Sequence, residues 1–211
     1  IKVGMTGSNG TIGEILSEGL KDRYEIIGFD REPGPNTAFV VDLTQSNQIR
    51  GAFQGLAAVI HLAADPDPEA TWSSVRENNI KGTYNVFEEC CNSSVRQVVF
   101  ATTNHTQHGD TVATTPETLD PSKKKYLRLN DPPNPDSLYA VSKLFGENLG
   151  KYFSEQRGLD FVGLRIGWIT KENDASLMQG TKSEEYMRAM HLSHRDCVQA
   201  FSRALETDFR F

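Results

Sequence analysis

Short apolar runs alternate along the chain with longer amphipathic stretches. The apolar runs predict six strands, at residues 1–5, 24–29, 38–41, 57–62, 97–101 and 161–166. The amphipathic stretches predict helices from the end of the first strand to about residue 20, and at 72–92, 137–156 and 197–205. Alternation of strands with helices is typical of βαβ units in a parallel sheet. The pattern therefore predicts an α/β fold.

The length of the chain predicts a single domain. Its 211 residues are enough for one sizeable core and fewer than two full domains usually need. Residues 106–135 are rich in Thr, Pro, Asp and Lys without clear periodicity, which predicts a long loop of the kind that often covers a functional site. Residues 207–211 resemble the opening of a further strand, so we expect the complete protein to continue beyond them.

Composition and charge exclude several classes of partner. The hydrophobic fraction of 37% is ordinary for a globular protein, and no stretch is long enough to span a bilayer. A net charge of −6 argues against nucleic-acid binding, which needs a basic stripe, and the lysine run at 123–125 falls in the predicted loop. Three cysteines, two of them adjacent, indicate reduced thiols and a cytoplasmic protein.

A glycine-rich turn lies where the first strand ends and the first helix begins. Gly7, Gly10 and Gly13 permit a tight turn, a close approach to a pyrophosphate and close packing of helix on strand. Asp30 ends the second strand at the spacing expected for a carboxylate that binds the adenosine ribose, which favours NAD over NADP. The neighbouring Arg31 could instead pair with a 2′-phosphate or lie in a solvated turn.

Tyr139 and Lys143 are the candidate reacting residues. Their spacing of four places a phenol and an ammonium on one face of a helix. A nearby ammonium favours the phenolate, so we expect Lys143 to lower the pKa of Tyr139 and allow it to accept a proton from a substrate hydroxyl.

These features together resemble the extended short-chain dehydrogenase/reductase family, of the NAD-dependent epimerase/dehydratase type. The resemblance rests on the glycine-rich turn, on Tyr139 with Lys143 and on the strand at 98–103. It implies a Rossmann-type doubly wound parallel sheet, with a small C-terminal substrate-binding appendage built from segments around 104–136 and 167–192. It also implies NAD as the cofactor and, through the helices at 72–92 and 137–156, a homodimer.

The resemblance implies a role for each matching residue. Thr103 holds the substrate oxygen, Tyr139 is the acid and base, and Lys143 tunes Tyr139 and binds the nicotinamide ribose. Residues 62–64 run along the cofactor, and Asn79 braces the site from the next helix. Asp42 is expected either to reach the adenine or to cap a helix. The complete predicted cofactor-binding set is Gly7, Asn9, Gly10, Thr11, Ile12, Gly13, Asp30, Arg31, Asp42, Leu43, Leu62, Ala63, Ala64, Asn79, Tyr139, Lys143 and Ile166.

The residues after Thr103 indicate the branch of the family. Asn104 and His105 stand where dehydratases usually have an Asp-Glu pair, and with the segment 165–167 they resemble the uronate dehydrogenases. The segments 61–72, 138–143 and 192–197 resemble the NAD-dependent glucose-6-phosphate dehydrogenases of haloarchaea. Both resemblances imply oxidation of the anomeric hydroxyl of a hexose derivative to a lactone.

The predicted substrate-binding residues are Thr103, Asn104, His105 and Arg165. The planar guanidinium of Arg165 could clamp a carboxylate or phosphate with two hydrogen bonds, or could pair with a protein carboxylate. His105 could donate to ring hydroxyls or serve as an ordinary loop residue. Asp67, in the segment that resembles the glucose-6-phosphate dehydrogenases, is a negative charge that we would not expect beside the phosphate of such a substrate. The remaining histidines show no ligand spacing, so no metal site is predicted.

Two other functions stay open. A nucleotide-sugar epimerase or dehydratase would use the same Tyr139 and Lys143 but keep its NAD tightly bound through the cycle. The polar stretch at 171–185 is short for the lobe that such an enzyme needs. A non-catalytic NAD sensor is the alternative from another class, although such sensors commonly lose the Tyr.

Overall fold

A computed structural model describes residues 1–109, 122, 127–128, 130–181 and 183–207. Six parallel strands form one sheet in the order β3-β2-β1-β4-β5-β6. The strands are β1 Lys2–Thr6, β2 Glu25–Asp30, β3 Phe39–Val40, β4 Ala58–His61, β5 Gln97–Thr103 and β6 Asp160–Ile166. This order defines the doubly wound Rossmann sheet, so the predicted fold is confirmed. Most of the predicted loop, the lysine run at 123–125 and residues 208–211 lie outside the described residues.

The helices cover both faces of the sheet. They are α1 Thr11–Leu20, α2 Ser46–Ile49, α3 Trp72–Ser74, α4 Gly82–Asn92, α5 Leu138–Arg157, α6 Glu184–Ala189 and α7 His194–Glu206. The predicted helix at 72–92 contains a π-helical segment, Val75–Lys81, between α3 and α4. The sequence did not predict α6 or the 3₁₀ segments Asn104–Gln107 and Ala175–Met178. These are one or two turns long, too short for periodicity to detect. None of the helices in the described part of the chain is long and apolar enough to cross a membrane.

The core has two layers because β5 is buried on both faces. Val98 and Phe100 pack into a cluster beneath α4 and α5, whereas Val99 and Ala101 pack into a cluster beneath α1 and α7. Successive side chains of a strand point to opposite faces, so a strand covered on both sides is apolar throughout. Because side chains alternate between the two faces, neighbouring residues at the carboxyl end of a strand point to opposite sides of the sheet.

Close packing sets the position of α5 on the sheet. The hydroxyl of Ser137 accepts a hydrogen bond from the backbone N–H of Ala140 and so caps the N-terminus of the helix. Farther along the helix, Gly146 lies directly over the ring of Phe100, where an added Cβ would clash with the ring. The helix can therefore approach β5 closely, which brings its first turns to the carboxyl end of that strand.

A fully buried histidine links β4 to two neighbouring elements. His61 shares hydrogen bonds with the hydroxyls of Thr6 (2.7 Å) and Thr83 (3.1 Å), and the Thr6 hydroxyl also accepts a hydrogen bond from the backbone N–H of Ala63 (3.3 Å). Burial, with a smaller effect of Lys143, lowers the pKa of His61 to about 3. The imidazole is therefore neutral in the folded protein at neutral pH.

This network predicts a pH-dependent stability. Below pH 6.5 the unfolded chain protonates His61, whereas the folded chain does so only near a pKa of about 3, so stability falls as the pH decreases through this window. The substitution His61→Leu should lower the free energy of unfolding at pH 7 by about 1–3 kcal/mol, because buried hydroxyls lose a partner. It should also remove part of the acid dependence. Urea denaturation at pH 7 and pH 5 measures both effects; a variant as stable as the parent at pH 7 would contradict the prediction.

Candidate active site

A cavity of about 1190 Å³ runs along the carboxyl edge of the sheet. In doubly wound sheets this edge is where ligands bind. The cavity brings together most of the predicted site residues, namely Gly7, Asn9, Gly10, Thr11, Ile12, Gly13, Asp30, Arg31, Asp42, Leu43, Leu62, Ala63, Ala64, Thr103, Asn104, His105, Tyr139, Lys143 and Ile166. Asn79 and Arg165 are the predicted site residues that do not line it.

The glycine-rich turn forms one wall of the cavity. Gly7 has a φ of +71°, and a Cβ there would lie 2.8 Å from the backbone nitrogen of Ala63. A Cβ on Gly13 would lie 2.5 Å from the carbonyl oxygen of Ser8. Gly10 caps α1 without a side-chain hydrogen bond, so the first N–H groups of the helix remain available to an anion. This wall fits the pyrophosphate of a dinucleotide.

Asp30 is held in a fixed orientation beside the turn. Its carboxylate accepts hydrogen bonds from the backbone N–H groups of Asn9 (3.0 Å) and Glu32 (3.4 Å). Asp42 also lines the cavity, and it accepts from the backbone N–H of Thr44 (2.9 Å). Asp42 therefore stabilises a turn before α2 and does not cap that helix, whose N-cap residue is Gln45.

The reacting residues meet where β5 ends and α5 begins. The ammonium of Lys143 donates to the backbone carbonyl of Ala101 (2.8 Å) and lies 5.8 Å from the centroid of the Tyr139 ring. Burial lowers the pKa of Lys143 to about 7. Burial raises the pKa of Tyr139, and the nearby hydroxyl of Thr103 partly offsets this rise.

These contacts change one expectation from the sequence. We expected Lys143 to lower the pKa of Tyr139, but in the free protein burial dominates for both groups. The side chain that lowers the pKa of the phenol is Thr103, from β5. The helical spacing of Tyr139 and Lys143 predicts that they lie close together. It does not predict how deeply the fold buries them, and burial is the main cause of both pKa shifts.

Asn79 does not reach the cavity. It is buried in the π-helical segment, where its amide donates to the carbonyl of Asp65 and the hydroxyl of Ser142, both at 3.0 Å, and accepts from the backbone N–H of Asp65 (2.7 Å). Asn79 therefore joins the loop after β4 to α5 from behind the cavity wall. It is the preceding residue, Asn78, that lines the cavity.

Arg165 points away from the cavity. Its guanidinium donates two hydrogen bonds to the carboxylate of Glu147 on α5, at 3.0 and 2.7 Å. The physical reason is the alternation of β6, since Ile166 faces the cavity and its neighbour must face the opposite side. The prediction that Arg165 clamps a substrate anion is therefore wrong in this structure, and the alternative of a protein ion pair holds.

The end of the cavity beyond Tyr139, here called the distal end, contains groups that sequence reasoning missed. It is lined by Asn104, His105, His108, Asp136, Trp168, Ser183, Tyr186, Met187 and Met190. Both imidazoles contact one oxygen of Asp136. The hydroxyl of Tyr186 is buried and has no hydrogen-bond partner among the residues that the structure describes. Ligand atoms of His105, His108 and Asp136 lie within 4.8 Å of one another.

A sequence signal existed for part of the distal end. His105 and His108 are three residues apart, which in a 3₁₀ turn places both side chains on the same side, but no regular element was predicted there. Asp136 comes directly before the N-cap of α5. Tyr186 and Met190 lie on or directly after the undetected helix α6, so no pattern connected them with the site.

Comparison with known proteins agrees with this geometry. Residues 3–198 match the family model described as the NAD dependent epimerase/dehydratase family. The L-arabinose 1-dehydrogenase (NAD(P)(+)) of Haloferax volcanii is 39% identical over 97% of this chain and 82% of its own length. The NAD-dependent glucose-6-phosphate dehydrogenase of the same organism is 34% identical over 98% of this chain and 81% of its own length.

A solved structure supports the same relationship. Uronate dehydrogenase from Agrobacterium tumefaciens, as a mutant complexed with NAD, superposes with a TM-score of 0.77 and 27% identity, over 99% of this chain and 73% of that one. The predictions of family and NAD cofactor are thus confirmed. The chain is an enzyme of the NAD-dependent epimerase/dehydratase family.

Proposed function

We propose that this enzyme oxidises the anomeric hydroxyl of an uncharged aldose to a lactone with NAD⁺. The observation that carries the proposal is the position of Thr103, Tyr139 and Lys143. These residues meet in the cavity between the glycine-rich turn and the distal end. A phenol with a hydroxyl partner beside a nicotinamide site is suited to accepting the proton of an alcohol as it is oxidised.

The residues of the cavity wall fit NAD. The N-terminus of α1 and the glycine-rich turn would hold the pyrophosphate, and Asp30 would bind the adenosine ribose. When bound, NAD⁺ supplies the acceptor for the hydride that leaves the anomeric carbon. The carboxylate of Asp30 would repel a 2′-phosphate, which favours NAD⁺ over NADP⁺.

Three side chains of the protein bind the anomeric hydroxyl and remove its proton. The hydroxyl of Thr103 donates a hydrogen bond to the anomeric oxygen, and the ionised phenol oxygen of Tyr139 accepts the proton of the anomeric hydroxyl while the carbon–oxygen double bond of the lactone forms. Ionisation of Tyr139 places a negative charge near Lys143, and this charge favours the ammonium form over the neutral amine that burial favours. Lys143 then stabilises the phenolate that the reaction needs.

The charges around the cavity favour an uncharged sugar over the anionic hexoses expected from sequence. Among the described lining residues the strong cations are Arg31, beside Asp30, and Lys143, beside Tyr139. The distal end instead presents the carboxylate of Asp136. An anionic group there would meet a like charge without an arginine or lysine partner from these residues. The named substrate of the arabinose dehydrogenase relative is likewise uncharged.

A substrate panel tests the proposal. The purified protein is incubated with L-arabinose, D-galactose, D-glucose, glucose 6-phosphate, glucuronate and galacturonate, each with NAD⁺ or NADP⁺, and NADH or NADPH is followed by absorbance. We expect an uncharged aldose with NAD⁺ to give a kcat/KM about tenfold or more above every anionic sugar, a difference of roughly 1.4 kcal/mol.

The other outcomes separate the alternatives. A clear preference for the phosphate or the uronates would refute the uncharged substrate but retain the oxidation. Absence of NADH with every aldose, together with interconversion of a nucleotide sugar, would support an epimerase that retains its cofactor and would refute the proposed function.

A further inference from the structure

Two imidazoles in the distal end converge on a single carboxylate oxygen. His105 lies in the 3₁₀ segment Asn104–Gln107 and His108 directly follows it, so their rings are adjacent, with centroids 4.1 Å apart and planes tilted by 44°. Nδ1 of His105 lies 2.8 Å from Oδ2 of Asp136, and Nδ1 of His108 lies 3.1 Å from the same oxygen. Asp136 therefore holds both rings, although it is 28 residues or more away in sequence.

The carboxylate can only accept these hydrogen bonds. Burial raises the pKa of Asp136, but hydrogen bonds with Ser137 and His105 outweigh this effect and the net pKa is lowered, so the group is ionised at neutral pH. An ionised carboxylate has no proton to give, and each imidazole must therefore carry its proton on Nδ1. In a neutral imidazole the other nitrogen, Nε2, is then a hydrogen-bond acceptor.

The two rings differ in burial and in the surroundings of that acceptor. His108 is buried, with Nε2 3.2 Å from the sulfur of Met190 and its ring 5.3 Å from that of Tyr186. The side chain of His105 is 27% exposed, and its ring stands edge-to-face with that of Tyr139 at 5.9 Å. Within the described parts of the chain, no group shares a hydrogen bond with Nε2 of His105.

We propose that Asp136 is a positioning residue that fixes His105 in the Nδ1–H tautomer, so that Nε2 accepts a hydrogen bond from a sugar hydroxyl beside the reacting one. This inference rests on the proposed function for the identity of the ligand, but the tautomer is a property of the free protein. It reverses the role expected from sequence, in which His105 donates to the sugar. It also makes the distal end selective for hydroxyl groups, because a carboxylate or phosphate oxygen offers no proton to Nε2.

The tautomer can be measured directly. Protein labelled with ¹⁵N in its five histidines gives long-range ¹H–¹⁵N spectra that distinguish the two neutral forms, with His105 and His108 assigned by the variants His105→Gln and His108→Gln. We expect the Nδ1–H form for His105 in the parent protein. In Asp136→Leu, which removes the acceptor, we expect the signal to shift toward the Nε2–H form. Observation of the Nε2–H form in the parent would overturn the proposal.

Kinetics test the consequence for the substrate. Asp136→Leu should raise KM for the aldose about tenfold, which corresponds to one hydrogen bond, and leave the Kd for NAD⁺ within about twofold. Asp136→Asn retains a carbonyl acceptor, so its KM for the aldose should lie between those of the parent and of Asp136→Leu. The control is Asp131→Asn, in the same segment but outside the cavity lining, for which both constants should be unchanged. An unchanged tautomer and KM in Asp136→Leu would overturn the proposal.

The two readouts separate this proposal from the proposed function. If no aldose is oxidised but His105 has the predicted tautomer and changes it in Asp136→Leu, the proposed function fails and the positioning by Asp136 stands. If an aldose is oxidised but His105 has the Nε2–H tautomer, the proposed function stands and the positioning by Asp136 fails. The spectra are recorded after EDTA treatment, since His105, His108 and Asp136 also form a donor set suited to a divalent ion.

Discussion

Replacement of Tyr139 by Phe should reduce turnover of the aldose by about 10²- to 10⁴-fold, the usual contribution of a general acid or base. The phenol is the group that accepts the proton of the anomeric hydroxyl, and the ring without its oxygen fills the same space. Binding of NAD⁺ should be nearly unchanged, because the pyrophosphate and ribose contacts come from the glycine-rich turn and Asp30. NADH formation measures turnover, and titration calorimetry measures the Kd for NAD⁺.

A second tyrosine of the same helix provides the control for this experiment. Tyr152 is 55% exposed on α5 and does not line the cavity. Tyr152→Phe should have the kcat and KM of the parent protein. Turnover by Tyr139→Phe at the parental rate would show that another group accepts the proton, and the mechanism would have to be abandoned.

Lys143→Met should have opposite effects on activity and on stability. Loss of the ammonium beside the phenolate should lower kcat by about 10²- to 10³-fold, as for removal of one preorganised electrostatic contact. The folded protein holds Lys143 at a pKa of about 7, whereas the ordinary value is 10.5. Between these values the unfolded chain binds the additional proton, so this group makes the parent protein more stable as the pH rises from about 7 toward 10.5.

The variant lacks this titration, which gives a test by thermal unfolding. Without NAD, Lys143→Met should be more stable than the parent at pH 7 and below, and its advantage should shrink as the pH rises toward 10. Lys151→Met, at an exposed position of the same helix, controls for the general effect of removing a lysine. A stability difference that is constant with pH, or that grows as pH rises, would show that Lys143 is not held neutral by burial.

The parts of the fold that local patterns encode were predictable from sequence. Gly7, Gly10 and Gly13 mark a turn whose strand and helix lie within the same short segment, and Tyr139 and Lys143 share a helix. Each of these predictions depends on residues that are close in the chain. The structure brings all five residues to one cavity.

The failed and missing predictions depend on contacts between distant segments. Arg165 turned away from the cavity because Ile166 takes the inward position, and its partner Glu147 lies on another element. Asp136 could not be connected with His105 and His108 from sequence, because a long segment separates them. These long-range contacts set the charge of the distal end, and with it the preference for a charged or uncharged sugar. The branch of the family was predicted from adjacent residues, whereas the sugar could not be predicted in that way.

The contact between Gly146 and Phe100 has a consequence for mutational searches of this enzyme. A glycine with no functional group controls how far the reacting phenol stands from the cofactor wall, because any side chain there would push α5 off β5. Libraries restricted to residues that line the cavity would leave this spacing untouched. A variant at Gly146 would instead shift Tyr139 and Lys143 together relative to Thr103, so the position acts on the reaction through the packing of α5 on β5, without touching the sugar.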